Sequence, residues 1–338
     1  MSSYRAVEIL GKGKARLATK TAPAPKRGEI LVKTAWQGIC ATDLEILDGR
    51  LGYYASGMAK YPIVPGHEMS GTVASLGAGV PGLSVGDPVV VECIQGCGDC
   101  PRCRADDAIG CNTRRELGVI GMDGGYADLV LTRARFAHKL PKGLSLKTAS
   151  LAEPLAAVSK GLRRLAAAWG GQPASRRVAV VGAGAIGTLA ALALRARKHE
   201  PVLFDREELR RKGAAKSGLE ARAELKNLGE FDAIVEATGN ADALHACIDG
   251  SRAGATLLVL GFPYDDRRFA FEKLVAFDKV LVGSVGSTSA DFDESLRLLG
   301  KIDTSALDVK AFPLEDYEAA WSETRARRHL KTVLQIGD

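Results

Sequence analysis

The stretch Arg177-Val-Ala-Val-Val-Gly-Ala-Gly-Ala-Ile-Gly187 settles the architecture of half the chain. Its first residues form a short β-branched run, the mark of a buried strand. Gly182-Ala183-Gly184-Ala185-Ile186-Gly187 follows at once, and an Ala/Leu-rich helix opens behind it. A G-x-G-x-x-G motif carries weight only in this strand–turn–helix setting. Gly182 permits the tight turn, Gly184 lets the backbone approach a pyrophosphate, and Gly187 allows the helix to pack closely on the strand. Ala185 and Ile186 complete the expected cofactor-binding loop, where the helix N-terminus favours phosphate charge. The next strand ends at Phe204-Asp205. An acid there hydrogen-bonds an adenosine ribose and repels a 2′-phosphate, so NAD is expected. Arg206, Arg210 and Arg211 follow directly and could host that phosphate, which keeps NADP open.

Outward from this motif, apolar strands alternate with helical patterns after Leu151. Strands are expected at Arg177–Val181, Pro201–Phe204, Ala233–Ala237, Ala255–Gly261 and Lys279–Gly283. That alternation predicts βαβ units and a doubly wound parallel sheet over 151–286. The first 150 residues read differently. They are rich in Val, Gly and Pro, with short runs such as Glu29–Thr34 and Gly71–Ser75 separated by turn signals such as Gly86-Asp87-Pro88. This is the texture of a β-rich domain. From about Ser287 the pattern predicts a helix at Asp291–Leu299, another near Leu314–Arg325 and a final strand, Thr332–Ile336. The 338 residues thus suit two domains in an α/β chain, one formed by 1–150 with 287–338 and the other by 151–286.

Composition narrows the classes. Hydrophobic residues make up 46% and charged residues 25%, the balance of a globular protein. No run of about 18 apolar residues is present, so no membrane partner is expected. The N-terminus lacks the apolar run of a signal peptide, so a cytoplasmic protein is expected. The net charge of +6 comes from scattered pairs such as Arg163-Arg164 and Arg327-Arg328. Nucleic-acid binding would want one concentrated basic face, so none is expected.

The seven cysteines then read as thiols or metal ligands rather than disulfides. Cys97, Cys100, Cys103 and Cys111 form a C-x2-C-x2-C-x7-C cluster. Four thiolates so close can surround one tetrahedral Zn²⁺ and leave no position for substrate, so this zinc should be structural, in a lobe at about 93–112. Cys247 reads as a small core residue, and Cys93 as a buried thiol after a strand. Cys40 stands in Gly38-Ile-Cys40-Ala-Thr42-Asp43, ahead of Pro65-Gly66-His67-Glu68. A thiolate and an imidazole suit zinc, although either residue alone is more often structural.

The order of these features resembles the medium-chain zinc-dependent alcohol dehydrogenase superfamily. Cys40 comes first, then Gly66-His67-Glu68, the four-cysteine lobe and the glycine fingerprint. Gly125-Tyr126-Ala127, Glu236-Ala-Thr238-Gly239 and Gly283-Ser284 extend the resemblance over nearly the whole chain. It implies a GroES-like β-rich catalytic domain joined to a Rossmann domain. It also implies that Cys40 and His67 bind a catalytic zinc, with Glu68 on the metal or just behind it. Thr42 would pass the substrate proton onward, and Asp43 would orient the ligating histidine. Thr238 and Lys331 match cofactor-contacting positions. Classical members place another ligand cysteine near the start of the cofactor domain, but no cysteine lies between Cys111 and Cys247. Ala152-Glu153-Pro154 stands there instead and is similar to the polyol and sugar dehydrogenases, where that glutamate approaches the metal directly or through water. Glu45 replaces a relay histidine, as in the glucose-dehydrogenase-like branch.

The resemblance therefore implies a homodimeric or homotetrameric oxidoreductase with two zinc ions and a nicotinamide cofactor. The Tyr- and Arg-bearing loop Gly49–Tyr54, with Glu45 and Glu153, favours a polyhydroxylated substrate: a sugar, a polyol or an aminocyclitol. Threonine-type and simple secondary alcohols are the alternatives within the class. Outside it stand a zinc-free enone reductase and a non-catalytic zinc- and nucleotide-binding protein.

Overall fold

The computed structural model describes residues 3–169, 175–263 and 271–337. The chain forms two compact units, one from Met1–Glu153, Gly286–Gly300 and Val309–Asp338, the other from Pro154–Val285 and Lys301–Asp308. The segment 301–308, expected with the first domain, thus groups with the second. The break after Glu153 falls inside one helix, Ala152–Ala168.

The first unit is built on a seven-stranded sheet. Its central strand, Glu29–Gly38, pairs antiparallel with Glu68–Leu76, with Leu129–Arg133 and, at its end, with Lys331–Gln335. Val309–Pro313 lies parallel to Lys331–Gln335 at the edge. The hairpin Ser3–Gly11 and Lys14–Thr21 and the helix Tyr317–Ala326 close a core of Ile9, Ile46, Val64, Tyr126, Leu314, Trp321 and Leu334. Ile94–Gln95, Arg115–Leu117 and Gly121–Met122 make a separate small sheet.

The second unit is a six-stranded parallel sheet. Its order is Glu220–Arg222, Glu200–Phe204, Arg177–Val181, Ala233–Glu236, Thr256–Val259, Val280–Gly283. This is the 3-2-1-4-5-6 arrangement of dinucleotide-binding folds, which places the glycine loop at the point where strand order reverses. Central strands such as Val178–Val181 are buried on both faces, which is why they read as continuous apolar runs. No helix among the described residues is long and apolar enough to cross a membrane.

In the first unit a half-buried histidine fastens the helix Ser289–Leu299 to the strands. His138 Nε2 lies 2.8 Å from Glu92 Oε1, and its Nδ1 lies 2.9 Å from Asp293 Oδ1. Ser289 donates to the same Glu92 oxygen at 2.6 Å, and the imidazole stacks on Phe292. Burial works against the imidazolium, but Glu92 and then Asp293 outweigh it and raise the His138 pKa. A raised folded pKa stabilises fully below the unfolded value, about 6.5, and the gain is lost as pH rises through the folded value. His138→Gln is therefore expected to cost about 2 kcal/mol at pH 6, mostly through Glu92, because water screens the exposed Asp293. Denaturant unfolding across pH should show the gap between wild type and variant narrowing on the alkaline side. A gap independent of pH would show that the histidine is not charged in the fold.

Candidate active site

Strand pairing builds the metal-ligating cluster. Glu29–Gly38 delivers Cys40 just past its end, where Cys40 is extended and caps the helix Ala41–Asp48. The register pairs Gly38 with Glu68, which sets His67 and Glu68 opposite Cys40. A Cβ on Gly38 would come 2.1 Å from Glu68 Oε2, so only glycine leaves room for that carboxylate. One ligand atom from each of Cys40, His67 and Glu68 falls in a set mutually within 4.8 Å. That is the span expected around a single ion bonded at about 2.0–2.3 Å.

The surrounding carboxylates divide the work. Asp43, fully buried, accepts the Cys40 N–H at 2.9 Å and the Gly66 N–H at 3.2 Å, and faces His67 Nδ1 at 3.8 Å. The Cys40 thiol contacts Thr42 Oγ1 at 3.7 Å, which puts the hydroxyl of the expected proton path beside the cluster. Glu153 is outside the three-residue ligand set, but burial pushes its carboxyl up to about 7, and His67 and Glu68 both influence it. Glu45 sits half-buried on the helix Ala41–Asp48, also outside the ligand set.

The resemblance implies that Lys331 stands at a cofactor-contacting position. In the structure it is buried, and its Nζ donates to Glu68 Oε1 at 2.6 Å. The cause lies in the sheet: Lys331 opens the strand that pairs with the end of Glu29–Gly38, so its side chain enters beside Glu68. Nothing in Lys331-Thr-Val-Leu-Gln335 signals that partner.

The electrostatics of the cluster call for positive charge. Burial disfavours a charged His67, yet Cys40, Asp43 and Glu153 hold its pKa well above the ordinary value. Burial likewise opposes charge on Lys331, and Glu68 and Cys40 outweigh it. A divalent cation would satisfy the same field and draw the Glu153 carboxyl back down. Soft sulfur, imidazole and carboxylate within one ion's reach are the donors zinc takes. Cys93 is a neighbour that sequence reasoning set aside. Its thiol is buried, and burial followed by Glu153, Glu116 and Cys40 raises its pKa well above the usual range.

The cysteine lobe gathers four sulfurs. One Sγ each from Cys97, Cys100, Cys103 and Cys111 falls in a set mutually within 4.8 Å. Backbone N–H groups of Asp99 and Cys100 point at Cys97 Sγ and lower its pKa. The Cys97 backbone and Thr113 lower Cys111 to about 6. These N–H···S contacts favour thiolates, the form a metal binds.

In the second unit, Gly182 has φ +103, and a Cβ on Gly187 would stand 1.8 Å from the Gly182 carbonyl oxygen. The close approach expected of the fingerprint is therefore present. Asp205 accepts the Ala183 N–H at 2.8 Å and the Glu207 N–H at 2.9 Å, and Arg210 lies 3.6 Å from it. Thr238 donates its backbone N–H at 2.7 Å, and its hydroxyl, to Glu236 Oε1. Arg206 is exposed and pairs with Glu207.

Residues 26–142 match the alcohol dehydrogenase GroES-like domain family. Residues 146–336, more than half of the chain, match the glucose dehydrogenase C-terminus family. The chain belongs to the zinc-dependent medium-chain alcohol dehydrogenase superfamily, in its polyol and sugar branch. Relatives of this dehydrogenase include the D-altritol 5-dehydrogenase of Agrobacterium fabrum, 32% identical over 302 residues and 87% of each chain. The sorbitol dehydrogenase of Halalkalibacterium halodurans is 27% identical over 342 residues, 96% of each chain. Among solved structures, a cobalt- and zinc-bound thermostable alcohol dehydrogenase from Pyrobaculum aerophilum superposes with a TM-score of 0.85. It is 25% identical, covering 99% of this dehydrogenase and 100% of its own chain.

Proposed function

We propose that this dehydrogenase moves hydride between a secondary alcohol of a polyhydroxylated substrate and NAD. The substrate class is a sugar, polyol or aminocyclitol. The observation that carries this reading is the Cys40–His67–Glu68 ligand set with the half-buried Glu153, whose carboxyl is pushed up to about 7, acting on it. The donors fit zinc, which when bound would lower the pKa of a substrate hydroxyl and stabilise the alkoxide. Cys40, His67 and Glu68 would hold it, with Glu153 near enough to act directly or through water. Thr42 would take the alcohol proton, and Asp43 would keep the His67 ring oriented. The glycine loop would bind the pyrophosphate, and Asp205 at the end of its strand supports NAD over NADP. Cys97, Cys100, Cys103 and Cys111 would hold a second, structural zinc.

The class of relatives supports a hydroxyl-rich substrate, since sorbitol and altritol are named among them. Free thiols throughout the described chain suit a cytoplasmic setting. The edge strand Val280–Gly283 exposes Val280 and Leu281, a surface that would suit pairing with a second copy in a homodimer or homotetramer.

The test is a panel of polyols, sugars, cyclitols and simple alcohols, each with NAD⁺ and NADP⁺, followed by nicotinamide absorbance. Turnover of a polyhydroxylated substrate with NAD⁺ is the expected result. Turnover of simple alcohols alone would overturn the substrate class, and a preference for NADP⁺ would overturn the role given to Asp205. In the same assay Glu153→Ala should lower kcat at least tenfold, with cofactor binding nearly intact. An unchanged rate would reduce Glu153 to an acid stabilised at a helix start.

A further inference from the structure

Asp43 is not the end of its hydrogen-bond chain. Its Oδ2 also accepts the Tyr126 O–H at 3.2 Å, and the Tyr126 oxygen accepts the Trp321 Nε1–H at 3.3 Å. All three side chains are buried, Asp43 and Tyr126 at 0% exposure and Trp321 at 5%. The direction of the chain is fixed by chemistry. An indole N–H only donates and a carboxylate only accepts, so the single phenolic proton between them is committed to Asp43. Asp43 thus takes three donors: the backbone N–H of Cys40, the backbone N–H of Gly66 and the Tyr126 hydroxyl. Two of the three belong to the segments that present Cys40 and His67.

The tyrosine also touches the site by packing. Gly66 has φ +100, and a Cβ there would meet Tyr126 Cδ1 at 2.4 Å, so the ring lies against the backbone that carries His67. Trp321 comes from the helix Tyr317–Ala326, which runs into the strand that begins with Lys331. One C-terminal segment therefore reaches the cluster twice, through Trp321 and Tyr126 to Asp43, and through Lys331 to Glu68.

We propose that Tyr126 and Trp321 are positioning residues of the metal site. The chain from Trp321 through Tyr126 fixes the Asp43 carboxylate, and Asp43 in turn holds the backbone N–H groups of Cys40 and Gly66 and faces the His67 ring at 3.8 Å. The inference rests on the reading of Cys40 and His67 as zinc ligands. Neither residue belongs to the ligand set. Their effect is on how firmly, and in what geometry, the ligands are held. Outer partners of metal ligands commonly matter by 10- to 100-fold in affinity.

The experiment uses the full chain, stripped and reloaded with Co²⁺. Metal stoichiometry, the d–d absorption of the Cys40–His67 site and release to a competing chelator are followed. Wild type should hold two ions per chain. Tyr126→Phe keeps the ring against Gly66 and removes only the hydroxyl. It should release the Cys40–His67 ion roughly tenfold more readily, with an altered d–d spectrum and the four-cysteine ion unchanged. Trp321→Phe should show about a threefold effect, the size of one neutral hydrogen bond. Because Trp321 acts through Tyr126, the double variant should be no worse than Tyr126→Phe. Tyr317→Leu loosens the same helix, by removing a ring that packs on Trp321, without breaking the chain. It should leave release and spectrum unchanged.

Wild-type release and spectrum in Tyr126→Phe would overturn the proposal. So would Tyr317→Leu matching Trp321→Phe, which would reduce the effect to helix packing. A wild-type protein holding one ion, at the four cysteines, would instead defeat the catalytic-zinc reading on which the proposal stands. The retained four-cysteine ion reports that each variant has folded.

Discussion

Cys40→Ser should leave one zinc per chain and lower turnover by at least about 10³-fold. Serine keeps the size of the side chain but offers a hard, neutral hydroxyl where a soft thiolate is needed. The other two donors remain, His67 and Glu68, and Glu68 already has Lys331 as a partner. Two donors, one of them engaged, hold zinc weakly. Stabilisation of an alkoxide by a metal is worth several kcal/mol, and each 1.36 kcal/mol is a factor of ten, so three orders of magnitude correspond to about 4 kcal/mol. Nucleotide binding should survive, because the glycine loop and Asp205 belong to the other unit and make their contacts there. Metal content by atomic absorption, turnover on the best substrate and a fluorescence titration with NADH separate these effects. Two zinc ions and full turnover in the variant would remove Cys40 from the site. One zinc in both wild type and variant would remove the second metal altogether.

The fold was most legible where local chemistry and topology agree. Arg177–Val181 is apolar because both its faces are covered, and Gly182 and Gly187 stand where no side chain fits, so strand, turn and helix each announced themselves. Two of the edge strands were not legible. Glu220–Arg222 is three residues long and polar. Val309–Pro313 is half-exposed and ends in proline, so neither carries the apolar alternation that marks a strand. At the site, Cys40 and His67 were legible because metal ligands are chemically distinctive and occur in a fixed order. Trp321 and Lys331 were not, because each acts across the fold on a residue far away in sequence, Tyr126 and Glu68 respectively. A tryptophan on a helix and a lysine at the start of a strand look like core and surface until the register of the sheet is known. Cys93 was set aside for the same reason, since only the folded chain shows Glu153 and Cys40 acting on it.

Lys331→Met should destabilise the metal-free protein by about 3–5 kcal/mol and the zinc-loaded protein by distinctly less. The methionine fills the volume of the lysine stem, so little packing is lost. What is lost is the cation. Glu68 is 2% exposed, and without Lys331 its carboxylate is left buried beside the buried Asp43 and the half-buried Glu153. Removing one partner of a buried pair costs far more than replacing both, because the survivor keeps its desolvation penalty. Two consequences follow from that physics. Glu68→Gln combined with Lys331→Met should recover most of the lost stability without metal, since the amide carries no charge, and the double-mutant cycle measures the coupling. With zinc in the ligand set, Glu68 faces a second cation, so the charge exposed by Lys331→Met is met from the other side. Chemical unfolding of apo and zinc-reloaded forms of wild type, both single variants and the double variant supplies every term. An equal loss with and without zinc would mean that Glu68 answers only to Lys331 and does not reach the metal, leaving Cys40 and His67 to hold it with Glu153 or water.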